Sequence, residues 1–457
     1  MTDTVYDMVI LGAGSGGYAA ALRGAQLGLR VALIEADKIG GTCLHRGCVP
    51  TKAILHSAET AEAVREAAAV GVRAAYQGLD MPAVQRYKNG VISRMYKGLQ
   101  GLVASQGIEV VGGWGRLVAR DTVEVSGRRY RGRNIVLATG SLSKTMGQEI
   151  SGPVMTSDQA LELDRVPASA VVLGGGVIGV ELASAWASMG SQVTIIEALP
   201  HLVPNEDEAI SKQLERAFRK RRIAFRTSTM FESVERTAAG VTVRTADGRT
   251  HDAEVLLIAV GRGPATANLG YEEVGVAMDR GFVLTDDYGR TNVEGVWAVG
   301  DIVPGVQLAH RGFAQGITVA EKIAGLDPRP VDDALVPKVT FCEPEIASVG
   351  LSEARAAELH GAENVTTSEF NVAGNAKSQI LGTQGFVKLV SLKDGPIVGF
   401  HAIGARMGEQ VGEGQLIVSW EADAHDVASL VHAHPTQNET IGEAAMVLAG
   451  KPLHNHG

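Results

Sequence analysis

Three cysteines, Cys43, Cys48 and Cys342, are all that a chain of 457 residues carries. So few exclude a secreted fold stapled by disulfides. The opening stretch, Met1 to Asp7, is acidic where an export signal is basic. Arg23 and Glu181 stop the apolar runs well short of the ~20 residues a membrane helix needs. No lysine or arginine block forms a nucleic-acid footprint: 42 basic residues stand against 51 acidic ones, for a net charge of −9. The densest basic run, Arg219 to Arg222, closes a helical pattern, where cations favour the C-terminal end. The expectation is a cytoplasmic protein with neither membrane nor nucleic acid as partner. In that compartment a close cysteine pair is catalytic rather than structural. Hydrophobic residues at 45% and charged ones at 20% leave ample material for a core, and the length suggests about three domains.

Two of the three cysteines fall in one stretch, Gly40 to Lys52, which reads Gly-Gly-Thr-Cys-Leu-His-Arg-Gly-Cys-Val-Pro-Thr-Lys. An ideal helix would place Cys48 roughly 7.5 Å along the axis from Cys43 and about 140° around it. Side chains so placed point apart, so a bond between them needs a distorted turn. Gly41 and Gly47 supply the backbone freedom. Pro50 suits the first turn of a helix, and a thiol at a helix N-terminus has its thiolate favoured. The stretch reads as a redox-active dithiol/disulfide. Two other readings stay open from these residues alone. Cys43, His45, Cys48 and His56 are zinc-ligand types, although their spacing matches no usual pattern, so no metal is expected. The pair is also compatible with a structural bridge or buried thiols.

On either side lies a repeated nucleotide signature. Tyr6–Leu11 is a short buried strand, followed by Gly12-Ala13-Gly14-Ser15-Gly16-Gly17 and a helix from about Tyr18. Gly12 permits the tight turn, Gly14 lets a pyrophosphate approach the backbone, and Gly17 lets helix and strand pack closely. The next strand ends in Glu35, an acid suited to a ribose hydroxyl. The second copy has Gly174, Gly176 and Gly179 after Ala170–Leu173, and a strand ending in Glu197. The spacing is the same: 35 − 12 = 23 and 197 − 174 = 23. Matching acids favour two working sites. Glu197 is negative where a 2′-phosphate would sit, and none of the next ten residues is Arg or Lys; that favours NAD over NADP.

Further strands end at Ala138-Thr139-Gly140 and at Val260, before Gly261-Arg262-Gly263-Pro264. Gly295 to Asp301 then returns to the first unit, as one α/β unit inserted in another would. Residues 80 to 105 read as a packing helix. From about Val336 short β-rich runs alternate with helical ones, without a glycine signature, which predicts an α+β domain. Near its end His432-Ala433-His434-Pro435 leads to Glu439. Pro435 holds His434 extended, and a fixed histidine near a carboxylate is the pattern of an oriented base. A capped helix start with an incidental histidine is the alternative.

Taken in order, Gly-Gly-Thr-Cys-x4-Cys-Val-Pro-x-Lys, the second glycine signature, Ala298-Val299-Gly300-Asp301 and the terminal His-Pro-x4-Glu resemble the flavoprotein disulfide reductases across essentially the whole chain. The resemblance implies an α/β fold of two Rossmann-like dinucleotide-binding domains, the second inserted in the first, with a C-terminal α+β dimerisation domain. The expected boundaries are 1–147 and 269–335 for FAD, 148–268 for NAD, and 336–457 for the interface. It implies FAD at Gly12, Gly14, Gly17, Glu35, Lys52, Gly115, Ala138, Thr139, Gly140, Asp301 and Ala309, with Asp301 on the ribityl chain. NAD would lie at Gly174, Gly176, Gly179, Glu181, Glu197 and Gly261. Cys43 resembles the thiol that exchanges with substrate and Cys48 the one beside the flavin. Lys52 and Glu181 resemble an ion pair near it, and His434 with Glu439 the base that serves the partner subunit of a homodimer. Within the family the pattern is nearest the members that oxidise a small-molecule or protein-bound lipoyl dithiol with NAD⁺, some within 2-oxoacid dehydrogenase complexes. Reduction of another small disulfide or of quinones is the alternative. Val177 stands where other members carry a nicotinamide-gating tyrosine. Two departures stand out: Leu44-His45-Arg46-Gly47 replaces the commoner Leu-Asn-Val-Gly, changing the charge beside the disulfide, and Ala265 replaces a frequent Asn.

Overall fold

The computed structural model describes residues 4–455. The chain divides into two compact units. One gathers the residues up to Ala53 with Pro82–Lys144 and Gly261–Asp333; the other holds Ile54–Met81, Thr145–Val260 and the chain from Ala334.

The first unit is built on parallel strands. Val5–Leu11 lies between Val31–Glu35 and Arg128–Leu137, with Val9 facing Ala32 on one side and Ile135 on the other. Glu109–Gly112 extends one edge, and Val296–Ala298 pairs in parallel with Ile135–Leu137. The return from Gly295 is therefore a strand of the same sheet. Met8, Val9, Ile10, Leu33 and Ile34 are wholly buried, because helices cover the faces of a parallel sheet and leave no polar side. The helices Ser15–Gln26 and Ala309–Ile323 pack closely through small residues. A Cβ on Gly316 would stand 2.2 Å from the Gly16 carbonyl oxygen. Arg23 and Glu321 pair across the same contact at 2.6 Å. Met81–Ser105 forms the long packing helix that its periodicity predicts.

The second unit contains another parallel sheet, in the order Ala224–Arg226, Gln192–Ile196, Ser169–Leu173, Val255–Ile258, Val154–Met155. It also contains a C-terminal antiparallel sheet, in the order Lys338–Thr340, Glu345–Gly350, Ile397–Gly404, Phe386–Leu392, Val365–Asn371. The helices Met407–Ser419 and Glu439–Leu448 contribute buried residues to the core of that sheet. Phe400 sits against Gly414, where a Cβ would come within 2.5 Å of the ring. Lys388 in this sheet is buried, and it is satisfied by Asp207 at 2.9 Å and Glu353 at 2.6 Å, as a buried ammonium requires. The Cys48–Glu66 helix begins in the first unit and continues into the second. No helix of the described residues is long and apolar enough to cross a membrane.

Candidate functional site

The two glycine turns share one atomic plan. Gly12 and Gly174 adopt φ +101° and +99°, which other residues rarely adopt. A Cβ on Gly17 would lie 1.9 Å from the Gly12 oxygen, and one on Gly179 would lie 2.0 Å from that of Gly174. Gly14 and Gly176, by contrast, have nothing within 4 Å of a Cβ position and stand at the N-caps of their helices. Glu35 accepts from the amides of Ala13 at 2.7 Å and Asp37 at 2.9 Å. Glu197 accepts from those of Gly175 at 2.6 Å and Leu199 at 2.8 Å. Each carboxylate is thus locked beside its turn. An open glycine, a helix N-terminus and a fixed carboxylate suit a pyrophosphate followed by a ribose, so both sites fit a dinucleotide.

The remaining residues expected around the first nucleotide are dispersed along the unit. Ala138, Thr139 and Gly140 follow the Arg128–Leu137 strand, and the Ala138 oxygen would meet a Cβ on Gly12 at 2.4 Å. Thr139 shares a 3.1 Å hydrogen bond with the Tyr271 hydroxyl. Ala309 opens the Ala309–Ile323 helix. Gly115 is packed against Leu11, which a Cβ would approach to 2.6 Å. Asp301 sits in a single turn after the return strand, its Oδ2 accepting from Ser141 Oγ at 2.5 Å. Ser141 in turn accepts from Arg262 Nε at 2.8 Å. A hydroxyl has one proton; with Arg262 donating to its oxygen, Ser141 aims that proton at Asp301. Sequence reasoning missed Ser141 and gave Arg262 no task. Gly261, expected at the second nucleotide, has its carbonyl bonded to the Lys144 amide at 3.0 Å.

The redox stretch is two short helices with a break. Gly41–Arg46 forms one, Cys48 starts the next, and Gly47 joins them at φ −141°, ψ −110°. That break is the distorted turn the cysteine spacing demands. Both cysteines are thiols. Cys43 is hydrogen-bonded to Cys48, and this bond, then burial, pushes its pKa far up against the pull of Lys52. Cys43 therefore holds its proton tightly. The stretch is stitched to the first phosphate turn: the Gly40 amide donates to the Ala13 oxygen at 2.8 Å, and a Cβ on Gly41 would lie 2.8 Å from Gly14 Cα.

His45 and Arg46, the unusual pair between the cysteines, have partners of their own. His45 Nε2 bonds the Ile39 oxygen at 2.9 Å while its ring meets Tyr96 edge-on at 4.9 Å, and Arg46 pairs with Asp37 at 2.8 Å. Lys52 occupies the first turns of the Cys48–Glu66 helix. His56, the fourth of the zinc-ligand types, faces Glu59, and no cluster of three metal-ligand types occurs among the described residues.

In the second unit, buried Glu181 accepts from the Phe341 amide at 2.8 Å. His434 Nδ1 bonds Glu439 Oε1 at 2.8 Å, and Glu439 Oε2 accepts from the Thr436 amide at 2.8 Å. Burial pulls the Glu439 carboxyl upward, but the Thr436 amide and His434 outweigh it, and its pKa is lowered. The His434 side chain is 72% exposed, which leaves Nε2 accessible.

The sequence family described as pyridine nucleotide-disulphide oxidoreductase matches residues 6–316, and its dimerisation domain matches 336–445. A dihydrolipoyl dehydrogenase of Bacillus subtilis (strain 168) is 37% identical, covering 99% of either chain. That of Geobacillus stearothermophilus is 36% identical over 98% of this chain and 97% of its own. Among solved structures, LpdA from Mycobacterium tuberculosis aligns with a TM-score of 0.90 at 26% identity, covering 97% of this chain and 99% of its own. The HOCl-induced flavoprotein disulfide reductase RclA from Escherichia coli gives 0.87 at 27%, covering 97% and 100%.

Proposed function

The chain belongs to the pyridine nucleotide-disulphide oxidoreductases, and from that premise we propose that it oxidises the dithiol of a dihydrolipoyl group with NAD⁺, through FAD and the Cys43–Cys48 pair. Full-length relatives named dihydrolipoyl dehydrogenase support the substrate. The observation that carries the chemistry is the hydrogen-bonded cysteine pair on a loop stitched to the first nucleotide turn. The turn of Gly12, Gly14 and Gly17 with Glu35 and Asp301 would hold FAD, and that of Gly174, Gly176 and Gly179 with Glu197 would hold NAD. When bound, FAD takes the electron pair from the dithiol and passes it to NAD⁺ as hydride.

The chain's own residues carry out the exchange. A substrate thiolate attacks Cys43 Sγ of the disulfide, the S–S bond breaks, and Cys48 leaves as a thiolate. The second substrate sulfur then displaces Cys43 and closes the product disulfide. Of the two protons released, one ends on Cys43, whose raised pKa retains it. The other goes to His434 Nε2, with Glu439 on Nδ1 fixing the tautomer and stabilising the cation. The domain boundaries at 147, 268 and 335 separate the FAD, NAD and interface regions.

The match to a dimerisation domain supports a homodimer as the working form. In it, His434 of one chain serves the disulfide of the other. The lipoyl group it takes is free or protein-bound, a 2-oxoacid dehydrogenase complex being one carrier of the bound form, and the setting is the cytoplasm. The test is a substrate panel: dihydrolipoamide with NAD⁺ against NADH with other disulfides and with quinones. The highest kcat/KM should belong to the first pair. A higher value for another disulfide or a quinone would overturn the assignment.

A further inference from the structure

His432, two residues before His434, has no part in the exchange just described. Its Nε2 bonds Glu413 Oε1 at 2.7 Å, and its ring lies on the backbone of Gly442, where a Cβ would come within 2.7 Å of Nδ1. The second oxygen of Glu413 accepts from Asn438 Nδ2 at 2.6 Å. One carboxylate on the Met407–Ser419 helix thus grips both ends of the loop 432–438, the loop that carries His434. Between the grips, Gln437 donates to the Ala405 oxygen at 2.8 Å. Asn438 is followed at once by Glu439, the partner of His434. The charges facing His432 are Glu413 and, further off, Glu439; the Glu413 hydrogen bond raises the pKa of His432 and favours its cation.

We propose that Glu413, through His432 and Asn438, is a positioning residue for the base: it fixes both ends of the loop so that His434 stays on Glu439 with Nε2 aimed outward. This rests on reading His434 as the base. The physical need is strict, since a displacement of about 1 Å in a reacting group costs as much as 10²-fold in rate. A loop reaches such precision only when the residues around it are themselves locked.

The holoenzyme is assayed in two ways, by dihydrolipoamide oxidation with NAD⁺ and by NADH oxidation with a quinone acceptor. The second draws electrons through the flavin without a thiol to deprotonate. Glu413→Ala should lower kcat for dithiol oxidation roughly ten- to hundredfold and leave acceptor reduction unchanged. Glu413→Gln, which keeps one acceptor oxygen and no charge, should fall between Glu413→Ala and the unmodified enzyme. Asn438→Ala, which frees one end only, should lose less than Glu413→Ala, and it carries the test if the latter does not fold. Unchanged dithiol turnover in the Glu413→Ala holoenzyme, or equal loss of both activities, would overturn the proposal. His434→Gln is measured alongside. If it retains dithiol turnover, the base assignment falls; if it loses turnover while Glu413→Ala retains it, only the positioning role falls.

Discussion

Two carboxylates show how burial and partners decide what a residue does. Glu197 spends both oxygens on backbone amides at 2.6 and 2.8 Å and is largely buried. It cannot swing away from an incoming 2′-phosphate, and no cation stands within the next ten residues to offset the repulsion. NAD⁺ should therefore exceed NADP⁺ in kcat/KM by at least about tenfold, the ~1.4 kcal/mol of one charge-assisted contact; equal values for the two cofactors would refute this reading. Glu343 is the opposite case. Burial pushes its pKa up to about 7, with Glu62 adding to the rise and Arg221 only partly opposing it. The folded chain thus binds this proton more tightly than the unfolded one. The associated stability is complete below the ordinary carboxyl pKa of about 4.5 and is lost as pH rises through about 7. Glu343→Gln removes the ionisation, so its melting temperature should exceed that of the unmodified protein by a few degrees at pH 8. At pH 5 the gain should largely vanish, because the difference at stake is about 3 kcal/mol and is titrated between the two. Thermal unfolding at both pH values checks this, and a gain independent of pH would count against it.

At the level of elements, the redox stretch works because a broken helix is laid directly on a phosphate turn. Gly41, at φ +57°, leaves room for Gly14, and a methyl group there would fall 2.8 Å from Gly14 Cα. Gly41→Ala should push the cysteine segment off the turn and lower flavin occupancy, read as the ratio of flavin to protein absorbance. Gly28→Ala, at a positive φ of 82° with open space around it, is the control for strain alone. Full occupancy in Gly41→Ala would mean that the contact can yield. These local constraints are why so much was legible beforehand. A turn that only glycine can make, an acid at fixed spacing and a cysteine pair that no regular helix can bridge are each written within a few residues. Contacts across the chain are not. Ser141 meets Arg262 and Asp301 over 121 and 160 residues, and Glu413 meets His432 over 19; no local pattern marks such partners. Side-chain direction was equally hidden. Nothing local to His45 and Arg46 says that the Ile39 carbonyl and Asp37 take them up. The helix after Cys48 read as part of the first nucleotide unit, whereas Ile54–Met81 clusters with the second. Helical periodicity does not say which core a helix joins.

For the whole molecule, the question is how many chains make one site. The dithiol and His434 sit in different compact units, and a homodimer, which the match to a dimerisation domain supports, would hold two copies of each. A substrate thiol of pKa about 8.5 is mostly protonated at neutral pH, so it needs a base before it can attack. His434 is set for that by Glu439 at 2.8 Å. His434→Gln should lower dithiol turnover by about 10²–10⁴-fold, the usual range for a general base, with FAD content and dimer intact. Cys43→Ser should be inactive for a different reason, the loss of the attacked sulfur. If His434 serves the partner's disulfide, a heterodimer of the two variants holds one complete site, with Cys43 from one chain and His434 from the other. Its second site lacks both. Refolding the inactive variants together and isolating heterodimers by two affinity tags should therefore restore roughly half the activity of the unmodified dimer. If His434 worked on its own chain, each half of the heterodimer would carry one lesion and activity would stay at the level of the single variants. That result, with heterodimers verified by mass, would confine the active site to a single chain.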